Sequence, residues 1–134
     1  MAPEKRVLIV DDEPTIADTL KIIFSNTGYS ARAAYSAEEA LLVITEWNPQ
    51  LVILDVRLPG MNGIDLAMKL KAEYPHCDTL LFSGDGGTVE LLESARQKGY
   101  DFDVLAKPVP PDDFLNRAAG FFPPPLQGLV PETA

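Results

Sequence analysis

The stretch Leu51–Gly63, LVILDVRLPGMNG, decides how this chain is read. It opens with an apolar run, Leu51, Val52, Ile53 and Leu54. It places one carboxylate, Asp55, and then breaks into a turn with Pro59, Gly60, Asn62 and Gly63. A short, unbroken apolar run closed by turn residues is the pattern of a strand buried on both faces. Asp55 then falls at the carboxyl end of a central strand, and in open parallel sheets the ligand crevice lies at that end. Asp also commonly starts turns, so this stretch alone leaves a chemical and a purely structural reading of Asp55 open.

Working outward, Arg6–Val10 (RVLIV) is a second apolar, β-branched run, and it ends in Asp11-Asp12-Glu13. Pro14 suits a first helical turn, where its missing N–H costs nothing. Ile16, Leu20, Ile23 and Phe24 recur at helical spacing, and Gly28 stands where a helix needs a left-handed residue past its end. Tyr29–Tyr35 reads as a short strand. Ser36 with Glu39 matches a capping box, and the helix it starts is stopped by Asn48-Pro49. After the central turn, 63–74 reads as a helix ended by Pro75, Thr79–Ser83 as a strand, and 88–98 as a helix with Gly99 beyond it. Asp103–Lys107 reads as a last short strand and Pro111–Ala119 as a last helix.

Five strands alternating with five helices predict a doubly wound α/β fold, a parallel sheet covered on both faces. Right-handed crossovers leave few topologies. The order 2-1-3-4-5 is expected, with a switch point between the first and third strands. The tail Gly120–Ala134 (GFFPPPLQGLVPETA) is rich in proline and glycine. The expected division is therefore a folded domain over 1–119 and a Pro-rich tail or linker over 120–134.

The chain has 134 residues, enough for one domain and hardly two. A 46% hydrophobic fraction and a mean hydropathy of +0.02 suit a globular core. No apolar run approaches a membrane span, and the first apolar segment is too short for a signal peptide. A net charge of −9 disfavours direct nucleic-acid binding, which needs a basic footprint. It fits a bound cation or a basic partner, although most of the carboxylates serve solubility. His76 and Cys77 are the sole residues of their kinds; two adjacent ligands without partners make a poor metal site. A lone Cys cannot form an internal disulfide, which suits a reducing compartment.

In this topology the carboxyl ends of four strands bring together Asp11, Asp12, Asp55, Ser83 and Lys107. Two carboxylates about 4 Å apart repel by roughly 4 kcal/mol at an effective dielectric of about 20, so such a cluster is stable when protonated or when it holds a cation. A hard cation with oxygen ligands means Mg²⁺ most naturally, or Mn²⁺. Cation, ammonium and hydroxyl together are what a transferring phosphoryl group requires, and a carboxylate can itself be the nucleophile. Singly, each residue has a plainer role: Asp12 as a helix N-cap, Ser83 as the start of a turn, Lys107 as a solvated lysine before proline.

VLIVDDE, the LVILDVRLPGMNG stretch, Ser83 followed by Gly84, and Lys107-Pro108 together resemble the receiver domain of two-component response regulators, over roughly residues 5–119. The resemblance implies that Asp55 is the phospho-acceptor, fed by a phosphohistidine on a sensor histidine kinase or phosphotransfer protein. It implies that Asp12 ligates Mg²⁺ directly, Asp11 chiefly through water, and Arg57 through its backbone carbonyl. Ser83 and Lys107 would contact the phosphoryl oxygens, and Lys107-Pro108 would be cis. The protein would be a bacterial, cytoplasmic signalling switch rather than an enzyme acting on a separate substrate. It would control a downstream protein target or an attached output domain, with homodimerisation an open option. Moving such a switch from 1:99 to 99:1 takes about 5.5 kcal/mol of differential stabilisation.

Three departures stand out. Receivers usually carry Tyr or Phe where this chain has Val104, with Phe102 and Tyr100 nearby. The last helix is short and runs into GFFPPP, which leaves the dimer mode open. No recognisable output domain follows, so a stand-alone receiver and a piece of a longer protein are both open. Arg57 and Asp85 flank the acceptor position and are expected to pair across it. Two other readings compete: a pseudo-receiver that only binds protein, and a phosphatase of the haloacid dehalogenase type. The phosphatase is disfavoured by Arg57, which stands where those enzymes carry a second Asp.

Overall fold

The computed structural model describes residues 4–84 and 88–122. Asp85, and with it the expected Arg57–Asp85 pair, lies outside the described residues, as does the tail from 123 onward. Ten elements alternate: β1 (Arg6–Val10), α1 (Pro14–Asn26), β2 (Ser30–Ala34), α2 (Ala37–Trp47), β3 (Leu51–Asp55), α3 (Gly63–Glu73), β4 (Asp78–Ser83), α4 (Thr88–Gln97), β5 (Val104–Ala106) and α5 (Pro111–Ala119). The five strands are parallel in the order β2-β1-β3-β4-β5. The expected doubly wound fold and strand order are therefore those observed.

The apolar runs end where the sheet needs them. Val7–Val10 and Leu51–Leu54 are wholly buried because each strand has neighbours on both edges and helices on both faces. Successive side chains alternate between faces. Val7, Ile9, Leu51, Ile53, Leu80 and Phe82 meet Leu20 and Phe24 of α1 and Phe114 of α5. Leu8, Val10, Val52, Leu54 and Leu81 meet Ile44, Ile64, Leu66, Leu70 and Ala95 of α2, α3 and α4.

Local chemistry sets the helix ends. Ser36 caps α2 by accepting from Glu39 N–H at 3.1 Å. Glu39 returns the bond one residue early, to Tyr35 N–H at 3.1 Å. Asn48 closes α2 in the left-handed region at φ 54°. The N-cap of α1 is Glu13, without a side-chain bond, so Asp12 does not take the capping role its position allowed. Gly28, at φ 97°, leads out of α1.

Three strands differ in their bounds from the sequence pattern. β2 starts at Ser30 rather than Tyr29, whose ring is turned instead into an edge-to-face ladder between Phe24 and Phe122 (centroids 5.1 and 5.3 Å). β4 begins one residue early, at Asp78. β5 shrinks to three residues because it is an edge strand paired only to Leu81–Ser83. Beyond α5, Phe121 and Phe122 still pack against the cluster beneath α1.

Candidate functional site

The carboxyl ends of β1, β3, β4 and β5 converge at one end of the sheet. β1 delivers Asp11, and its amide donates to Ala34 O at 3.1 Å, which carries the ladder one residue past the strand. The Val56 amide does the same to Phe82 O at 3.1 Å, and the Lys107 amide to Ser83 O at 2.9 Å. These three bonds fix the backbone of the predicted site residues against one another.

Asp11, Asp12 and Asp55 each bring one carboxylate oxygen within 4.8 Å of the others. Asp11 is fully buried, Asp55 is 4% exposed, and Asp12 faces solvent. One Asp11 oxygen accepts from the Glu13 amide at 2.9 Å. The other, Oδ2, is buried with no hydrogen-bond partner. Such an atom is costly unless a cation or proton meets it. Accordingly the Asp11 carboxyl is pushed up to about 6, chiefly by burial, with Asp55 and Asp12 adding repulsion against the Glu13 bond and Lys107.

Asp55 is held by a different donor on each oxygen. Arg57 N–H donates to Oδ1 at 3.0 Å, and Lys107 Nζ to Oδ2 at 2.9 Å. Burial acts to lower the Lys107 ammonium, but the bond to Asp55 and the charges of Asp55, Asp11 and Glu13 outweigh it and leave Lys107 raised. Lys107 also lies over the Phe82 ring, 5.1 Å from its centroid. The Lys107-Pro108 peptide is cis. Ser83 is 6% exposed, and its hydroxyl meets that of Thr88 at 2.5 Å. The structure thus gathers every sequence-predicted site residue at one end of the sheet.

The turn after Asp55 shows what the sequence pattern did not. Gly63 N–H donates to Val56 O at 2.7 Å, and any Cβ at position 63 would overlap the Asp55 carbonyl oxygen. Asn62 caps α3, accepting from Asp65 N–H at 2.8 Å. Gly84 is less tightly constrained: a Cβ there would stand 3.3 Å from Lys107 Cβ, a close contact with a side chain rather than an overlap with backbone. The Asn-Gly pair was visible as a turn; its roles as cap and close approach needed the fold. Thr88 carried no signal at all.

His76 is exposed and Cys77 buried, its thiol pushed up to about 12 by burial and by Asp78. They join no metal cluster among the described residues.

The family model for the response regulator receiver domain matches residues 7–119. The chain belongs to that family. The receiver domain is 33% identical over 113 residues to the DNA-binding response regulator MtrA of Mycolicibacterium smegmatis, covering 84% of this chain and 48% of that protein. It therefore spans about half the length of the mycobacterial relatives it matches. It is 27% identical to sporulation initiation phosphotransferase F of Bacillus subtilis, over 89% of this chain and 94% of that one. Among solved structures, a CheY-like receiver domain from Methanospirillum hungatei superposes with a TM-score of 0.80 at 31% identity, covering 88% and 93% of the two chains. Receiver domains are signalling switches that bind Mg²⁺ at an acidic pocket, and Asp11, Asp12 and Asp55 form a cluster of acidic side chains in this chain. No helix among the described residues is long and apolar enough to cross a membrane.

Proposed function

We propose that Asp55 accepts a phosphoryl group from a phosphohistidine of a sensor histidine kinase or phosphotransfer protein. The observation that carries this is the Asp55 carboxylate itself, 4% exposed, tied to Lys107 at 2.9 Å and within 4.8 Å of two further carboxylates. The donor set is all hard oxygen, and the unpartnered Asp11 Oδ2 is an atom a cation would satisfy, so the residues fit Mg²⁺, and Mn²⁺ as well. Asp11, Asp12, Asp55 and the backbone carbonyl of Arg57 would hold the ion, which when bound offsets negative charge on the carboxylates and on the phosphoryl oxygens.

The chain's own part follows from its geometry. Two donors on different oxygens fix the plane of the Asp55 carboxylate, so a lone pair can be presented to phosphorus without a search. An O–P bond forms as the N–P bond of the phosphohistidine breaks and its electron pair returns to the imidazole. Lys107, with its ammonium beside the nucleophile, then meets the phosphoryl oxygens, and Ser83 donates its hydroxyl proton to one of them. The acyl phosphate shifts a pre-existing equilibrium, which acts on a downstream protein or an attached output domain in the cytoplasm.

The test is intact mass after incubation with acetyl phosphate, with and without Mg²⁺, for wild type and Asp55→Asn. We expect one Mg²⁺-dependent phosphoryl group in the wild type and none in the variant. A folded wild type that gains nothing, or a variant that gains as much, overturns the assignment.

A further inference from the structure

Ser83 ends β4 and Thr88 begins α4, and both are 6% exposed. Their hydroxyls lie 2.5 Å apart, and either can be the donor. Side chains alternate along a strand, so Ser83 shares a face with Leu81, which packs in the cluster under α2, α3 and α4. Ser83 is therefore placed between the carboxylate end of the sheet and the first turn of α4. The neighbouring strand offers no polar side chain there: β5 sets Val104 beside Leu81 and Ala106 beside Ser83.

A serine hydroxyl has a single proton. Given to a phosphoryl oxygen on Asp55, it is no longer available to Thr88. A Ser83 that turns about χ1 to make that contact also moves its oxygen away from Thr88. The Thr88 hydroxyl is then buried without its partner, which is unfavourable. Relief comes from moving the start of α4.

We propose that Thr88 is a positioning residue that holds Ser83 in its resting rotamer and couples the turn of Ser83 towards a phosphorylated Asp55 to movement at the start of α4. This rests on the reading of Asp55 as acceptor. Thr88 thereby supplies a hydroxyl link at a place where Val104 has no group to supply one.

The experiment is amide chemical-shift mapping of ¹⁵N-labelled full chain as beryllium fluoride and Mg²⁺ are added. Wild type, Thr88→Val and Thr88→Ser are compared. Val keeps the shape of Thr and removes the hydroxyl; Ser keeps the hydroxyl and removes the methyl. In the wild type we expect shifts both at residues 55–58 and in α4. In Thr88→Val the shifts at 55–58 persist and those in α4 are lost; Thr88→Ser restores them. An α4 response in Thr88→Val equal to wild type overturns the proposal. So does a wild type whose α4 stays silent while 55–58 respond, or a Thr88→Ser that fails to rescue. A wild type with no shift at 55–58 defeats the acceptor reading instead. Should Thr88→Val not fold, Thr88→Ala removes the same hydroxyl and is read the same way.

Discussion

Leu51–Leu54 and Asp55 are consecutive residues of one strand with nearly equal burial, and burial does opposite things to them. For the four apolar side chains, leaving water is the favourable step, on the order of 1.5–3 kcal/mol each. For Asp55 and its neighbour Asp11 it removes water from charges that already repel. The apolar part of β3 holds the sheet together, and its last residue joins a cluster that the folded chain tolerates rather than gains from. One strand thus supplies both the stability and the tension that a bound cation or phosphoryl group can relieve.

The largest way to break this comparison lies on the apolar side. Leu54→Ala removes a wholly buried side chain from the cluster under α2 and α3, one residue before Asp55. The expected loss is about 2–5 kcal/mol, because the rigid sheet cannot collapse into the space. Urea unfolding of the two proteins measures it. A loss near zero would mean that β3 is not the packed centre.

The opposite sign is expected on the charged side. The Asp11 carboxyl rises from 3.8 to about 6 on folding, so the folded chain holds that proton more tightly than the unfolded one. Between about pH 4 and pH 6 the metal-free fold loses stability as pH rises through this group, by at most roughly 3 kcal/mol. Asp11→Asn should therefore stabilise the metal-free protein at neutral pH, by less than that, and flatten this part of the pH profile. Saturating Mg²⁺ should flatten it in the wild type too. Thermal unfolding at pH 5 and pH 7, with and without Mg²⁺, decides the matter; an Asp11→Asn protein less stable than wild type at pH 7 without Mg²⁺ would refute it.

The same contrast explains what was legible in the sequence. β1 and β3 were plain because a strand buried on both faces needs an unbroken apolar run, and few other structures do. Edge strands carry less of that signal: β5 keeps three residues of the five expected, and Tyr29 left β2 to pack between Phe24 and Phe122. The site was legible as a set, since strand ends of a doubly wound sheet meet: Asp55 and Ser83 end strands, and Asp11, Asp12 and Lys107 stand just past them. Which carboxylate is buried was not. Asp11 and Asp12 look alike in sequence, and only the turn that aims Asp11 at the Glu13 amide separates them. Contacts that depend on how a strand end meets the start of the next helix, such as Ser83 with Thr88 or Gly63 against Asp55, leave no residue pattern to read.

The smallest effect sharpens the comparison most, because it separates location from chemistry. Ser36 and Asn62 are both N-caps that accept from the amide three residues on, at 3.1 and 2.8 Å. Replacing either by Ala should cost about 1 kcal/mol of stability, since the lost bond is the same in kind. Their surroundings differ. Ser36 starts α2, whereas Asn62 lines the hollow shared by Asp12, Asp55 and Arg57, and its neighbour Gly63 is bonded to Val56 beside the acceptor. Loosening that turn relaxes the backbone that presents Asp55 and the Arg57 carbonyl. Calorimetric titration should find Mg²⁺ affinity unchanged in Ser36→Ala and about two- to five-fold weaker in Asn62→Ala, the equivalent of less than about 1 kcal/mol. Equal affinities in the two variants would show that α3 is anchored independently of the acidic cluster.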